Sequence, residues 1–571
     1  MKQLANSNFR RRIHILLFFF FLLCTALIGR LFILQIVNHR VYAEAAARTH
    51  RRIEELPPER GAIVAQDKNG TYIPIAFNTA YITVIASPKD IKNPDRIATQ
   101  LAAILNLPEA VIREQLLKKD DPREVIAKGV TREIASTIEA FRLPGISFEE
   151  ENRRTYPNGI LAGHLLGFVS KETDTFTGKY GIERQFNADL SGEKGIIEGA
   201  QDTAGFWVAL GRRIINPPKN GSDIVLTIDY NIQEKAEAIL DSYRTKWGAV
   251  SGTMIVLDPK TGKILALAGR PAFNPNTFSK ERDFSVFLNP VVESVYEFGS
   301  VVKPVTMAAG IQEGVVNSDA TYEDKGEIKI GGYTIKNFDE RAYGIQTMTQ
   351  VLEKSLNTGA VYVARLLGRE KEREYFAQFG FGVKTGIDLP GEVSGNTEHL
   401  VSGKEIDFAT AAFGQGITAT PLQMALAIGA IANGGMLMKP IIIEKVIDDA
   451  GNESRVSPIT VRQIISKETA DMVTKMLISV VRNGYENRAG VKGYFVAGKT
   501  GTAQIPKRGG YSDQVIHTFV GFAPAFNPRF LALLQLNEPK GNRFAANTLT
   551  PAFQELATYI LNYYEVPPDE K

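Results

Sequence analysis

The chain opens with a long apolar run, followed by shorter apolar segments separated by turn-forming residues. Residues 15–29 carry no charge, and the run resumes at residues 31–37 after Arg30. A helix over 15–29 alone is about 22 Å long, less than the roughly 30 Å hydrocarbon core of a bilayer. We therefore expect one transmembrane helix over residues 13–37, with the Arg30 side chain reaching the outer interface.

Positive charge lies on the N-terminal side of this span. Residues 1–12 hold lysine and arginine and no acidic residue, which predicts a cytoplasmic tail there and export of the rest of the chain. A cleaved signal peptide is one alternative, but the alanines at 45–47 lie well beyond the apolar run. A lipoprotein is another, but Phe21, Leu22 and Leu23 stand where small residues would precede Cys24.

Residues 40–220 mix short alternating segments with charged segments of helical pattern, such as 92–105 and 132–141. Pro-Pro, Asn-Gly and Pro-Asn-Gly turn signals interrupt them. The pattern contains no evident catalytic cluster. We interpret this part as a stalk or docking module.

From residue 221 the pattern predicts an α+β domain. We expect strands at 224–228, 252–257, 264–268, 495–498, 515–523 and 530–536. We expect helices at 231–243, 302–313, 348–367, 421–433 and 550–564. Strands at both ends with helices between them favour a mixed antiparallel sheet with helices packed against it.

Composition narrows the possible functions. The 571 residues are 44% hydrophobic and 23% charged, as in a globular protein of several domains, and a net charge of +3 argues against nucleic-acid binding. One cysteine excludes an internal disulfide, and the six histidines show no His-Glu-x-x-His spacing. We predict no metal and no cofactor, so any serine chemistry needs a base other than an obvious histidine.

Three short motifs occur in order: Ser-x-x-Lys at 300–303, Ser-x-Asn at 355–357 and Lys-Thr-Gly at 499–501. Each is weak alone, because further copies stand at 191–194, 260–262, 384–386 and 394–396. Context separates them. The copy at 260–262 falls in a hairpin turn, the copy at 384–386 in a loop, and Ser191 in a glycine-rich turn, so we interpret these as structural.

Ser300 differs because a helical segment is predicted to begin there, after Gly299. Residues i and i+3 share a helix face, which would bring the Lys303 amine beside the Ser300 hydroxyl. The helix N-terminus and a nearby Lys499 should lower the Lys303 pKa, so that a neutral amine serves as the base. These arguments make Ser300 the predicted nucleophile.

The other two motifs supply the remaining catalytic groups. Ser355 would relay a proton, and Asn357 would orient Lys303 and the substrate. Lys499 and Thr500 would hold a substrate carboxylate on a strand edge suited to β-addition. Gly501 would permit close approach, and the Thr502 N–H would complete an oxyanion hole with that of Ser300.

This set of motifs resembles that of the class B penicillin-binding proteins. The likeness extends over most of the chain, at residues 60–63, 154–159, 164–168, 181–183, 226–229 and 413–416. It implies a penicillin-binding transpeptidase domain over 221–571 on an elongated, dimerisation-like pedestal over 40–220. It also implies D-alanyl-D-alanine stem peptides as donor substrates, β-lactams as ligands, and a polytopic membrane glycosyltransferase and divisome proteins as partners.

Within the family, residues 355–357, 497–503 and 519–524 look more like the septal type, penicillin-binding protein 3, than the elongation type. The chain departs from the usual family pattern at Phe298, where proline is common, at Val301-Val302, where Thr-Phe or similar is common, and at Leu288-Asn289, where Arg-Asn is common. These departures bear on substrate geometry and β-lactam affinity. No segment resembles a glycosyltransferase domain.

Rival functions share part of this pattern. A D,D-carboxypeptidase or a β-lactamase would use the same acylation, but the large pedestal and the anchor argue against both. A non-catalytic scaffold would be expected to lack part of the motif set. A β-lactam sensor would need a signalling segment larger than the 12 residues before the span. A membrane-anchored transpeptidase fits the sequence best.

Overall fold

The structure is a computed structural model that describes residues 2–42, 51–118, 121–172, 175–200, 213–484, 486–507 and 510–570. The chain divides into two compact units. The first comprises Met1–Pro58 and Gly192–Asn220, and the second comprises Glu59–Ser191 and Gly221–Lys571.

The strands of the described residues are numbered in chain order. They are β1 Arg51–Leu56, β2 Ile63–Gln66, β3 Tyr72–Ala86, β4 Glu124–Val130, β5 Ile146–Thr155, β6 Phe168–Glu172, β7 Thr175–Lys179, β8 Gly195–Ala200, β9 Arg213–Asn216, β10 Asp223–Asp229, β11 Ser251–Leu257, β12 Ile264–Arg270, β13 Thr321–Asp324, β14 Glu327–Ile330, β15 Tyr333–Lys336, β16 Gly344–Thr347, β17 Met436–Met438, β18 Ile443–Ile447, β19 Glu453–Arg455, β20 Thr460–Gln463, β21 Ala497–Lys507, β22 Gly510–Ala523 and β23 Phe530–Asn537.

The α-helices of the same residues are cited by their bounds. They are Lys2–Phe32, Pro94–Leu105, Glu109–Leu116, Arg132–Ala140, Gly163–Leu166, Gly181–Gln185, Asn187–Ser191, Tyr230–Lys246, Lys303–Gln312, Met348–Glu353, Asn357–Leu367, Arg369–Gln378, His399–Ser402, Glu405–Ala411, Pro421–Ala432, Lys467–Ser479, Ala545–Thr548 and Thr550–Tyr563.

The first unit contains the N-terminal helix, which continues from Phe32 into a π-helical turn at Ile33–Val37. The segment Arg11–Val37 is long and apolar enough to cross a membrane. It rises about 40 Å at 1.5 Å per residue. This segment contains the predicted span 13–37. The unit also holds a sheet in the order β1-β8-β9.

The second unit contains a seven-stranded sheet in the order β19-β18-β10-β2-β3-β4, with β5 also paired to β3. Strand β10 runs parallel to β2 and antiparallel to β18, with Ile224 opposite both Ile63 and Val446. In the same unit, Glu183 is fully buried between Arg60 and Arg154. Its carboxylate oxygens lie 2.6 and 2.7 Å from guanidinium nitrogens of these two arginines. These buried charges are paired, as low dielectric requires.

A five-stranded antiparallel sheet forms the centre of the same unit, in the order β12-β11-β23-β22-β21. The predicted hairpin thus pairs with strands near the C-terminus, with Ile255 opposite Leu533 and Leu533 opposite Val520. Every residue of β23 is buried, because helices cover both faces of the sheet. The predicted α+β fold with helices against an antiparallel sheet is confirmed, although all pairings in this sheet are antiparallel rather than mixed.

The prediction of one helix over 348–367 was wrong. The chain forms Met348–Glu353 and then Asn357–Leu367, and Ser355 lies in the break with a φ of +55°. A left-handed residue cannot continue a right-handed helix. The break therefore removes Ser355 from the helix surface and places it in a tight turn.

The predicted helix start at Ser300 was also displaced. Gly299–Val301 forms a 3-10 turn, and the α-helix begins at Lys303. Gly299 has a φ of +56°, which glycine adopts readily. Ser300 therefore lies one turn before the helix, while Lys303 is its first residue.

The further copies of the motifs occupy structural positions. Residues 260–262 lie in the turn between β11 and β12. The loop at 384–386 is held by Glu392, which accepts hydrogen bonds from the Thr385 and Gly386 N–H groups. Ser191 ends the short helix Asn187–Ser191, so its placement in a glycine-rich turn was wrong, and its hydroxyl accepts a hydrogen bond from Arg60 at 2.9 Å.

Candidate active site

A cleft of about 1300 Å3 lies along the open edge of the five-stranded sheet. Among the side chains that line it are Ser300, Ser355, Asn357, Thr500 and Thr502. Residues 200 positions apart in sequence are thus brought to one surface. The two lysines of the motifs lie behind this surface, with 1% of Lys303 and none of Lys499 exposed.

Lys303 is directed to the turn between the two helices. Its Nζ donates a hydrogen bond of 2.5 Å to the Ser355 carbonyl oxygen and one of 3.2 Å to Ser355 Oγ. Within the described residues it makes no hydrogen bond to Ser300. The predicted direct contact between Lys303 and the Ser300 hydroxyl is therefore replaced by contacts to Ser355.

Lys499 approaches the same hydroxyl from β21. Its Nζ donates to Ser355 Oγ at 3.0 Å and to the Thr500 carbonyl oxygen at 3.0 Å. The Ser355 oxygen thus accepts from two lysine amines, which uses both of its lone pairs. Its own hydrogen remains available to a molecule in the cleft.

The site has unusual electrostatics because a lysine is buried beside a second lysine. Burial holds the Lys303 pKa well below its ordinary value of 10.5, and the positive charge of Lys499 lowers it further. Both effects disfavour the ammonium form. The direction agrees with the sequence-based expectation, but the largest cause is burial, which the motif spacing did not reveal.

Among the described residues, Asn357 makes no hydrogen bond to Lys303. Its side-chain amide donates to the Lys336 carbonyl oxygen at 2.9 Å. Asn337 caps the helix that starts here, because its Oδ1 accepts from the Asn357 N–H at 3.0 Å. The Asn337 amide in turn donates to the buried Asp324 carboxylate. This network fixes the helix N-terminus at the cleft.

Two glycines hold the Ser300 turn by backbone contact. A Cβ on Gly501 would lie 2.4 Å from the Phe298 carbonyl oxygen, and one on Gly414 would lie 2.2 Å from the Gly299 carbonyl oxygen. The Gly299 N–H also donates to the Gly414 carbonyl oxygen at 3.1 Å. The Phe298 backbone thus approaches Gly501 closely.

The Lys-Thr-Gly motif lies inside a strand rather than after one. Strand β21 begins at Ala497, two residues later than predicted, and runs through the motif to Lys507. It pairs with β22 on one side and is the last strand of the sheet in the described chain. The Thr502 hydroxyl accepts a hydrogen bond from the Ala545 N–H at 3.2 Å, which connects the strand to the start of the helix Ala545–Thr548.

Sequence reasoning missed several residues of the cleft. The Phe338 and Phe544 rings are 5.3 Å apart, and the Arg543 guanidinium lies 4.9 Å from the Phe338 ring. Together they join two loops at the cleft wall. Their positions in sequence differ by about 200 residues, so no local pattern could have predicted the contact.

No histidine lines the cleft in the part of the chain that the structure describes. His517 is fully buried, with Nδ1 2.8 Å from the Thr548 hydroxyl, and burial lowers its pKa to about 4. No group of three or more histidine, cysteine, aspartate or glutamate side chains suited to a metal occurs in the described part of the chain. The three motifs bring serine and threonine hydroxyls and two lysine amines together at the cleft, and these groups suit acyl transfer through serine.

Family models match two parts of the chain. The penicillin-binding protein transpeptidase domain matches residues 252–557, which includes all three motifs. The penicillin-binding protein dimerisation domain matches residues 55–226.

Individual relatives align over nearly the full length. Stage V sporulation protein D of Bacillus subtilis is 35% identical, over 96% of this chain and 85% of the relative. The probable peptidoglycan D,D-transpeptidase PenA of Neisseria meningitidis is 30% identical, over 100% of this chain and 95% of the relative. The crystal structure of penicillin-binding protein 3 from Mycobacterium tuberculosis complexed with aztreonam is 27% identical. It superposes with a TM-score of 0.70, over 90% of this chain and 98% of that one.

Proposed function

The chain belongs to the class B penicillin-binding proteins and is by family a peptidoglycan D,D-transpeptidase, and we propose that Ser300 is its acylated nucleophile. The observation that carries the proposal is the Ser355 hydroxyl held between two buried lysine amines in the cleft that Ser300 lines. Such an arrangement supplies a base and a proton relay without histidine.

Lys303 is suited to be the base because burial favours its neutral form. A neutral amine has two N–H groups and one lone pair. Its two donors satisfy the Ser355 carbonyl and hydroxyl oxygens, which leaves the lone pair to accept the proton of Ser300. The 3-10 turn before the helix lets the Ser300 hydroxyl approach that lone pair when substrate binds.

Acylation then proceeds at the bond between the two terminal D-alanines of a stem peptide. Ser300 Oγ attacks the carbonyl carbon of the penultimate residue, and Lys303 takes the hydroxyl proton. The peptide C–N bond breaks as the Ser355 hydroxyl delivers a proton to the leaving nitrogen, and Lys303 replaces the Ser355 proton. The products are free D-alanine and a Ser300 ester.

Transfer completes the cycle. The amine of a second stem peptide attacks the ester carbonyl, a new amide forms, and the proton returns through Ser355 and Lys303 to the Ser300 oxygen. The backbone N–H groups of Ser300 and Thr502 would stabilise the oxyanion in both steps. Thr500, beside Lys499, would bind the terminal carboxylate of the donor.

A β-lactam would enter the same reaction without completing it. Its ring amide occupies the place of the D-alanyl-D-alanine bond, and ring opening leaves the amine attached to the acyl group. The superposition on a penicillin-binding protein complexed with aztreonam supports this ligand class. We therefore propose that the protein is a target of β-lactams.

Covalent labelling tests the assignment. Full-length protein is treated with a fluorescent penicillin, and the adduct is located by intact-mass and peptide mapping. Ser300→Ala should abolish labelling, with a loss on the order of 10⁶-fold in comparable serine enzymes. The matched control is Ser191→Ala, which removes the serine of the other Ser-x-x-Lys sequence and should label normally. An adduct that survives in Ser300→Ala would refute the mechanism.

The cellular role we propose is septal cell-wall synthesis during division. The support is the likeness of residues 355–357, 497–503 and 519–524 to the septal type. Depletion in the source organism should then give filaments that fail to close their septa. Swollen or rounded cells that still divide would indicate the elongation type instead.

The proposed topology is a single-pass anchor in the cytoplasmic membrane with the catalytic part outside. The basic residues 10–12 before the segment Arg11–Val37 support this orientation. A reporter enzyme that is active only outside the membrane, fused after Lys571, should be active. Activity of a cytoplasm-only reporter at that point would contradict the orientation.

The proposed partners would supply the glycan strands that a transpeptidase cross-links. No part of the sequence resembles a glycosyltransferase, so we propose that a polytopic membrane glycosyltransferase and divisome proteins contact residues 13–60 and the pedestal. Purified protein should not polymerise lipid-linked disaccharide. Robust polymerisation by the isolated chain would show that no such partner is needed.

A further inference from the structure

Glu297, three residues before Ser300, is a nearly buried carboxylate that links three segments of the cleft wall. Only 7% of the residue is exposed. Its Oε1 accepts a hydrogen bond from the Gly416 N–H at 3.1 Å, and its Oε2 accepts one from the Tyr511 hydroxyl at 3.0 Å. The mechanism above does not use this residue.

Each linked segment carries part of the site. Glu297 leads directly into the turn of Ser300. Gly416 follows Gly414, whose backbone packs on that turn, and Gln415, which lines the cleft. Tyr511 lies on β22 opposite Pro506 of β21, in the hairpin whose first strand carries the Lys-Thr-Gly motif.

The hairpin needs such a link because its strand pairing is irregular at this point. The β21–β22 register shifts between Gln504 and Pro506, which interrupts the regular ladder beyond the motif. The Ser512 hydroxyl bonds to the Ile505 carbonyl oxygen within the hairpin itself. The Tyr511–Glu297 hydrogen bond instead joins the hairpin to the segment of Ser300.

The pair is electrostatically coupled. Burial raises the Glu297 pKa, and the hydrogen bond from Tyr511 opposes that rise. Burial and the Glu297 charge both raise the Tyr511 pKa, which keeps its hydroxyl a donor. Hydrogen bonds to a charged acceptor are stronger than neutral ones, so the link is well suited to hold two segments in register.

We propose that Glu297 and Tyr511 are positioning residues that hold the β21–β22 hairpin in the orientation that binds the donor carboxylate. The proposal rests on the proposed function, because it assigns the hairpin to substrate binding. Neither residue contacts reacting atoms. Their effect is transmitted through the position of Thr500 and Thr502 on β21.

This role has a distinct kinetic consequence. If the hairpin holds the binding orientation only part of the time, the apparent dissociation constant of the ligand rises by the inverse of that fraction. A saturating ligand draws the hairpin back into place, so the limiting acylation rate changes little. Loss of one charge-assisted hydrogen bond should raise the apparent dissociation constant on the order of tenfold.

The test compares two tyrosine-to-phenylalanine variants of the full-length protein. Tyr511→Phe removes the link to Glu297. Tyr375→Phe is the matched control, because the Tyr375 hydroxyl donates to Glu313 at 2.7 Å in a pair that does not line the cleft. The apparent dissociation constant before acylation and the limiting acylation rate are measured with a fluorescent penicillin, and hydrogen exchange is followed at Gly510–Ala523.

Tyr511→Phe should raise the apparent dissociation constant about tenfold, keep the limiting rate within about twofold, and speed exchange in β22. Tyr375→Phe should leave all three unchanged. Glu297→Gln keeps both hydrogen bonds but loses the charge of the acceptor, so it should raise the apparent dissociation constant less than Tyr511→Phe does. Kinetics for Tyr511→Phe equal to those of Tyr375→Phe would overturn the proposal. Labelling that survives in Ser300→Ala would instead refute the proposed function.

Discussion

Replacement of Gly501 by alanine should damage catalysis by moving the Ser300 turn, although alanine adds no polar or charged group. The added Cβ would lie 2.4 Å from the Phe298 carbonyl oxygen and 2.7 Å from Val301 Cγ2, whereas ordinary contact begins at 3.4 Å. The turn or the strand must therefore move by ~1 Å. Because the obstacle is backbone, rotation of a side chain cannot relieve it.

The expected magnitudes follow from that displacement. Overpacking of this kind destabilises a protein by about 1–3 kcal/mol, whereas a 1 Å misplacement of a reacting group can reduce the rate on the order of 10²-fold. The acylation rate should thus fall far more than the loss of stability alone would explain. Both quantities are measured on the same protein, by labelling with fluorescent penicillin and by thermal unfolding.

Gly498→Ala is the matched control on the same strand. Its Cβ would meet the tip of the Phe519 ring at 2.6 Å. Residues three apart in a strand point to opposite faces, so this overlap is directed away from the Ser300 turn. Gly498→Ala should lower the stability of the protein about as much as Gly501→Ala does. Its acylation rate should stay within a few-fold of the parent rate. Parental acylation by folded Gly501→Ala would show that the turn is not held by this contact.

Three further predictions concern Lys303, Asn337 and Glu183. Lys303→Arg should lower the acylation rate by several orders of magnitude, since a guanidinium does not deprotonate. The acylation rate of the parent protein should rise with pH through the lowered Lys303 pKa and level off below pH 10.5. Asn337→Ala should destabilise the protein by about 1–3 kcal/mol in urea unfolding and slow acylation, because a helix at the cleft loses its cap. Glu183→Ala should cost about 3–5 kcal/mol by leaving two buried arginines unpaired, whereas Glu193→Ala, which removes an exposed ion pair with Lys219, should cost less than about 1 kcal/mol.

The sequence predicted those parts of the fold that depend on local periodicity. The hairpin of β11 and β12 and the helix Tyr230–Lys246 lie close to their expected positions. Apolar alternation and turn residues carry that information directly. The long N-terminal helix could be predicted for the same reason, because a long apolar run carries its own signal.

The errors came from features set by tertiary contacts. The segment 348–367 has helical periodicity throughout, and nothing in that pattern indicates the positive φ of Ser355 that divides the helix. Lys303 was expected beside Ser300 because spacing gives a shared face, but spacing cannot show that Ser355 offers two closer acceptors. The link from Glu297 to Tyr511 spans 214 positions and leaves no local signal.

The parallel pairing of β10 with β2 determines how the protein can be shortened for work in solution. A fragment that starts at residue 221 would retain β10 but lose β2, and β10 would become an edge strand with a row of unpaired backbone groups. Such an edge promotes aggregation. A fragment that starts at Arg51 lacks the apolar N-terminal helix and retains every strand of that sheet. We expect the second fragment to be soluble and monodisperse and the first to aggregate on expression.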